Sequence, residues 1–206
     1  MGDVAFDIET LGLLHERPLP EVTCVCMYDG ARAWSVRTWR LPDEELARNR
    51  QTVIDVLDAA ERILGYNAVL FDIEFLRRSW GLDDARALRW QLKCVDPYQT
   101  MRLLHGGGGK LQAMLTLNGL GSKTGTGGDA ITLAREDQWD ELLAYCLVDA
   151  QLTYELVHHS EWVRVTPALE CSWTRGPHMP RFRLVAQPQP QRVAPVWTKL
   201  SLAVAS

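Results

Sequence analysis

The sequence predicts an α/β domain, a mixed sheet flanked by helices, and three observations predict it. Three strand-like runs follow one another before residue 40, two of them joined by the turn pair Asp29-Gly30. Beyond Pro42, helical periodicity alternates with short apolar runs at 63–67 and 92–96. The pattern closes on a long amphipathic helix from Glu136 to about His159. At 206 residues, 47% hydrophobic and 23% charged, the chain can bury a substantial core and leaves about 40 residues beyond one ordinary domain.

The first strand is Val4-Ala5-Phe6-Asp7-Ile8-Glu9-Thr10. Its β-branched and aromatic members suit a buried strand, and the two-residue period sends Asp7 and Glu9 to one face and Phe6 and Ile8 to the other. A loop over 11–20 ends in two prolines. Residues 21–28 form a second strand with Val22, Cys24 and Cys26 on one face, and 31–39 return after the hairpin turn. Pro42-Asp43-Glu44-Glu45 opens a helix towards Ala60, because proline fits the first turn and acids favour the positive end of the helix dipole. Residues 63–67 read as a fourth strand, parallel to the first, with a helix following over 71–78. A fifth strand spans 92–96, and Pro97 starts a short helix. The four glycines 106–109 lack the lysine and hydroxyl of a phosphate loop and read as a connector. Residues 110–117 are helical, and 118–130 form a glycine-rich loop.

Several acids stand out against these elements. Two carboxylates side by side on a core strand repel, and desolvating them costs several kcal/mol unless a cation lies between them. Mg²⁺ and Mn²⁺ suit such oxygens; the alternative is a pair facing water on a half-exposed edge strand. In the helix 136–159, Asp149 lies seven residues after Leu142, which at ~3.6 residues per turn is within about 20° of the same direction. It therefore faces the core. Tyr145, one turn earlier on that side, is either a core aromatic or part of the same site. Asp72 shares a face with Phe75 and Leu76 and is either a buried acid or the N-cap of its helix. Asn67 follows the fourth strand, where its amide can reach a ligand.

Together, Asp7-x-Glu9, Asn67-x-x-x-Phe71-Asp72 and Tyr145-x-x-x-Asp149 resemble the three motifs of the DEDD 3′–5′ exonucleases, in order and over residues 3–157. The tyrosine variant (DEDDy), which includes the proofreading domains of family B DNA polymerases, is the better match. The histidine variant would want histidine where this chain has Ala144. The resemblance implies a ribonuclease H-like fold, with a five-stranded mixed sheet whose first three strands are antiparallel. It implies two divalent ions, Mg²⁺ or Mn²⁺, about 3.5–4 Å apart. By position, Asp7, Glu9 and Asp149 would hold the ion that activates water, and Asp7 would bridge to the second ion, supported by Asp72 through water. Tyr145 would orient the attacking water. Thr10 and Leu11 would pack the terminal nucleotide, and Asn67 and Phe71 would contact the strand end. Lys110 and Lys123 are candidate phosphate contacts.

The activity implied is release of nucleoside monophosphates from the 3′ end of DNA, preferably single-stranded. An exoribonuclease of the oligoribonuclease or RNase D kind keeps the chemistry and changes the substrate, and a non-catalytic nucleic-acid-binding domain is a third reading. Residues 171–206 hold five basic residues and no acid, which leaves 17 basic against 26 acidic in the first 170. A domain at −9 binds polyanions poorly by charge alone, so metal ions and a local basic patch must reverse the field where nucleic acid lies. The five cysteines, odd in number and without a C-x-x-C pair, argue against a disulfide framework and a zinc site. Reduced core thiols of a cytoplasmic protein are expected, since the chain starts on no apolar leader and has no apolar run near the roughly 18 residues that span a bilayer. The exonuclease unit is expected over 1–165. Residues 166–206, which include Gln187-Pro188-Gln189-Pro190-Gln191, are expected to form a basic tail, loosely attached or disordered.

Overall fold

The computed structural model describes residues 1–107, 109–122, 127–174 and 176–185. At its centre runs β1 (Asp3–Thr10), whose Val4, Ala5 and Phe6 are closed to water. β2 (Val22–Tyr28) pairs antiparallel with β1, and β3 (Ala33–Arg37) antiparallel with β2. On the other side lie β4 (Arg62–Leu64), parallel to β1, and β5 (Cys94–Val95), parallel to β4. The order β3-β2-β1-β4-β5 is the expected ribonuclease H-like mixed sheet with three antiparallel strands first. The β2–β3 hairpin turns at Gly30, whose φ of 92° disfavours any side chain. A Cβ there would also lie 2.5 Å from the Tyr154 hydroxyl.

Among the described residues seven helices flank the sheet: α1 (Asp43–Ala59), α2 (Asp72–Trp80), α3 (Asp84–Leu92), α4 (Pro97–His105), α5 (Leu111–Leu117), α6 (Gly127–Arg135) and α7 (Trp139–His158). Phe6 and Ile8 face one layer, where they pack with residues of α1, α2 and α3. Cys24 and Cys26 face the other, packed with Ala130 and Ala134 of α6 and Leu142, Tyr145 and Cys146 of α7. The strand period has therefore split β1 as the sequence predicts: apolar side chains towards α1–α3, carboxylates towards α7.

Three segments differ from the sequence expectation. α3 lies in a stretch assigned to no element, and its N-cap Asp83 accepts a hydrogen bond from the Arg86 amide at 2.8 Å. α6 begins inside the expected glycine-rich loop 118–130; its short apolar face, Ala130 with Leu133 and Ala134, follows glycines that mask the helical signal. α7 starts at Trp139 rather than Glu136, because Asp137 adopts φ 56° and breaks the helix there.

Beyond α7 a second, antiparallel sheet forms from β6 (Val163–Thr166), β7 (Leu169–Ser172) and β8 (Arg181–Leu184). Within the stretch expected as a loose tail from 166, β7 and β8 are strands of this sheet, and residues 175 and 186–206 lie outside the described residues. Val163, Val165, Cys171 and Trp173 are buried with Ala5, Leu64, Met114 and Leu156. Apolar surface on the main sheet thus holds this sheet in place. Among the described residues no helix is long and apolar enough to cross a membrane.

Candidate active site

β1 is the middle strand of five, so Asp7 and Glu9 do not lie on an exposed edge. Across the ladder Asp7 stands opposite Cys26, and Glu9 opposite Cys24. Opposite residues of an antiparallel pair share a face, so two acids and two thiols form one patch beneath α7. Cys146 closes over it from α7: its Sγ donates to the Asp7 backbone oxygen at 3.3 Å and lies 3.7 Å from Asp7 Oδ2. One carboxylate oxygen each from Asp7 and Glu9, together with Cys146 Sγ, lie within 4.8 Å of one another.

Asp72 enters from the first turn of α2 and is only 4% exposed. It is not the N-cap; that position belongs to Phe71, which makes no capping bond through its side chain. Instead Asp72 Oδ1 accepts from the Ile8 amide at 3.2 Å. β4 pairs with β1 only as far as Ala5, so the carboxylate takes over an amide the parallel ladder leaves unserved. That amide lies between Asp7 and Glu9. Asp149, 3% exposed on α7, is the fourth acid of the set. Burial raises the Asp72 carboxyl to about 7, and the charges of Asp96 and Asp149 push it the same way. Tyr145 is 8% exposed and packs among Cys24, Cys26 and Leu142, one turn before Asp149.

Asp96 is a buried acid that the sequence reading missed as a site residue. It caps α4 by accepting from Gln99 N at 3.2 Å, and it also accepts from Asn67 N at 2.9 Å and Val69 N at 3.0 Å. These bonds hold Asn67 at φ 68°, a backbone state asparagine tolerates better than most residues. The signal was present in Asp96-Pro97, an N-cap followed by proline at the first helical position. Cys146 was missed because it counts as one more apolar residue on the α7 stripe.

The expected substrate contacts divide. Phe71 sits at the start of α2, with its ring centroid 5.4 Å from that of Phe75. Asn67 Oδ1 faces Gln99 Nε2 at 3.4 Å. Thr10 is 9% exposed, with its hydroxyl on the Gly12 carbonyl at 2.7 Å, and the Leu11 amide bonds the Glu21 carbonyl at 3.0 Å. Thr10 and Leu11 therefore continue the acid strand just past a bulge between Glu9 and Thr10. Lys110 is exposed ahead of α5, an element that packs on β6 and α7. Lys123 lies outside the described residues.

Chemically, Asp7 and Glu9 offer hard oxygen donors of the kind Mg²⁺ or Mn²⁺ takes, whereas Asp72 and Asp149, on α2 and α7, fall outside the group of side chains close enough to share one ion. Burial first, and the charges of Asp96 and Asp149 after it, disfavour the ionised form of Asp72, and a cation placed nearby would offset this.

A family model described as RNase_H superfamily matches residues 4–160. No curated protein matches the chain. Among solved structures, the family B DNA polymerase from the hyperthermophilic archaeon Pyrobaculum calidifontis superposes with a TM-score of 0.58 at 15% identity. The match covers 76% of this chain and 24% of the polymerase, so the chain spans about a quarter of that protein's length.

Proposed function

The chain belongs to the RNase_H superfamily, and from that membership we propose that it is a DEDDy-type 3′–5′ exonuclease dependent on two divalent metal ions, Mg²⁺ or Mn²⁺. The observation that supports this reading is the pair Asp7 and Glu9 on a central strand, with Asp72 bonded to the amide between them and the charge of Asp149 acting on Asp72. Hydrolysis adds a water oxygen to the terminal phosphorus and breaks its bond to the neighbouring 3′ oxygen, which leaves with a proton. Bound divalent ions supply Lewis acidity at that phosphate and acidify the attacking water.

In this reading Asp7, Glu9 and Asp149 would hold the ion that activates water, and Asp7, supported by Asp72 chiefly through water, would hold the second. Tyr145 orients the water through its hydroxyl. The Phe71 ring offers a stacking face to the terminal base, worth about 1–3 kcal/mol. Asp96 acts through others, by holding the backbone of Asn67 and Val69 beside Asp72. The unit carrying the chemistry is residues 1–165, and the substrate is a DNA 3′ end, in keeping with the DNA polymerase that shares the fold.

The test compares single-stranded DNA and RNA, each labelled at the 3′ or the 5′ end, in Mg²⁺, Mn²⁺ or chelator. Immediate release of a 3′-labelled mononucleotide and a descending ladder from the 5′-labelled strand are expected, both stopped by chelator. Endonucleolytic products, or none with any substrate in either metal, overturn the assignment. Cleavage of RNA alone moves it to the exoribonucleases.

A further inference from the structure

We propose that Cys146, with Asp7 and Glu9, forms a thiolate–carboxylate site for a borderline or soft divalent ion of the Zn²⁺ class, with one coordination position left open. The spacing of cysteines along the sequence argues against a zinc site, but that argument concerns neighbours in sequence. Folding brings a thiol from α7 onto two carboxylates of β1.

The geometry favours this chemistry. With a Zn–S bond of about 2.3 Å and a Zn–O bond of about 2.1 Å, tetrahedral angles separate the sulfur and oxygen by about 3.6 Å. Cys146 Sγ and Asp7 Oδ2 are 3.7 Å apart, and the Glu9 oxygen falls in the same cluster. An ion at the centre of the three displaces the Sγ proton to solvent and replaces the contact between thiol and carboxylate. Three protein ligands with a fourth position free is the pattern of an open zinc site, where water or a phosphate oxygen completes the tetrahedron. Mg²⁺ does not use sulfur, and it demands an octahedron of oxygens. The walls are already soft: Cys26 and Cys24, wholly buried, stand across the ladder from Asp7 and Glu9.

Asp7 and Glu9 also belong to the proposed nuclease centre, so a Zn²⁺-class ion here excludes Mg²⁺ from those two carboxylates and opposes hydrolysis. The site itself does not rest on the nuclease reading, because its test measures thiolate coordination and not cleavage.

Cd²⁺ is titrated into the reduced full-length protein and followed by the ultraviolet charge-transfer band of a cadmium–thiolate bond. One equivalent is expected to raise the band in the wild type and in Cys171→Ser, whose thiol lies in a different part of the core. Cys146→Ser should lose the band and weaken Cd²⁺ binding more than about tenfold, while its Mg²⁺ affinity stays within about twofold. Glu9→Gln should keep the band at reduced Cd²⁺ affinity, which reports the carboxylate ligand even if the serine variant folds poorly. No band in the folded wild type, or a band that survives Cys146→Ser but vanishes with Cys24→Ser or Cys26→Ser, overturns the proposal. An active nuclease without the band, or the band without nuclease activity, separates the failure of one reading from that of the other.

Discussion

Asp72 and Asp149 are carboxylates almost closed to water, on helices whose other buried residues are mainly apolar. An acid in such surroundings opposes folding unless hydrogen bonds or a cation meet its charge. For Asp72 the Ile8 amide does part of this, and burial still leaves its carboxyl near neutrality. Replacing Asp7 or Asp149 with alanine should therefore abolish nuclease activity while leaving the melting temperature in chelator unchanged or higher, because carboxylate repulsion is relieved. Activity assays beside circular-dichroism melts check this, and full activity in either variant contradicts the mechanism. Tyr145→Phe removes a hydroxyl and keeps every acid, so its loss of turnover should be smaller than theirs. A loss equal to that of Asp149→Ala would deny the tyrosine its water-orienting role.

At the level of elements, the site depends on how abruptly β4 ends. Three residues pair with β1 and the chain then turns away, so α2 begins close enough to place Asp72 on the sheet. That turn is held by Asp96, at the junction of β5 and α4, through the amides of Asn67 and Val69, while its bond from the Gln99 amide caps α4. Asp96→Ala would leave these partly buried donors without their acceptor, at about 1–3 kcal/mol for each amide that water does not reach. Urea denaturation should show a loss of at least about 2 kcal/mol, with Asp96→Asn recovering part of it through the remaining oxygen. A variant as stable as wild type would mean that the turn keeps its shape without the carboxylate.

Over the whole molecule, the start of β1 and the end of α7 are joined by a charged clasp. Asp3 receives Arg62 Nε at 2.8 Å and faces His158 Nε2 at 2.9 Å, with Tyr154 stacked on the histidine and Glu61 nearby in sequence. The bond to Asp3 raises the His158 pKa above its usual 6.5. Its contribution is thus complete below that value and is lost as pH rises through the folded-state pKa. Asp3 is lowered from 3.8 to about 2, against the effect of its burial, by His158 and Arg62. Its contribution is present above 3.8 and lost as pH falls towards 2. The clasp should therefore be strongest between these limits, and His158→Gln should flatten the alkaline side of a melting-temperature profile. An unchanged profile would mean that the histidine carries no linkage. Nearby, Arg62 Nη1 donates to the Trp173 carbonyl at 3.0 Å, tying the second sheet to the first. A chain ending at 165 loses Cys171 and Trp173 from the shared core, and its unfolding free energy should fall by about 3 kcal/mol or more. Equal stability of the shortened chain would make the second sheet an appendage.

The mixed sheet, the opposite faces of Asp7 and Phe6, and the inward aim of Asp149 were legible in the sequence. Each follows from a local period of two or 3.6 residues that packing does not overrule. α6 and the second sheet were hidden, because glycines and prolines near them weaken local propensity while burial of Ala130, Val163 and Trp173 supplies the stability. Only tertiary structure could decide that Asp72 bonds β1 and caps no helix, that Asp96 holds the turn beside it, and that the Cys146 thiol rests on Asp7. These contacts join residues 27 to 139 positions apart, and no periodicity along a chain encodes a distance across it.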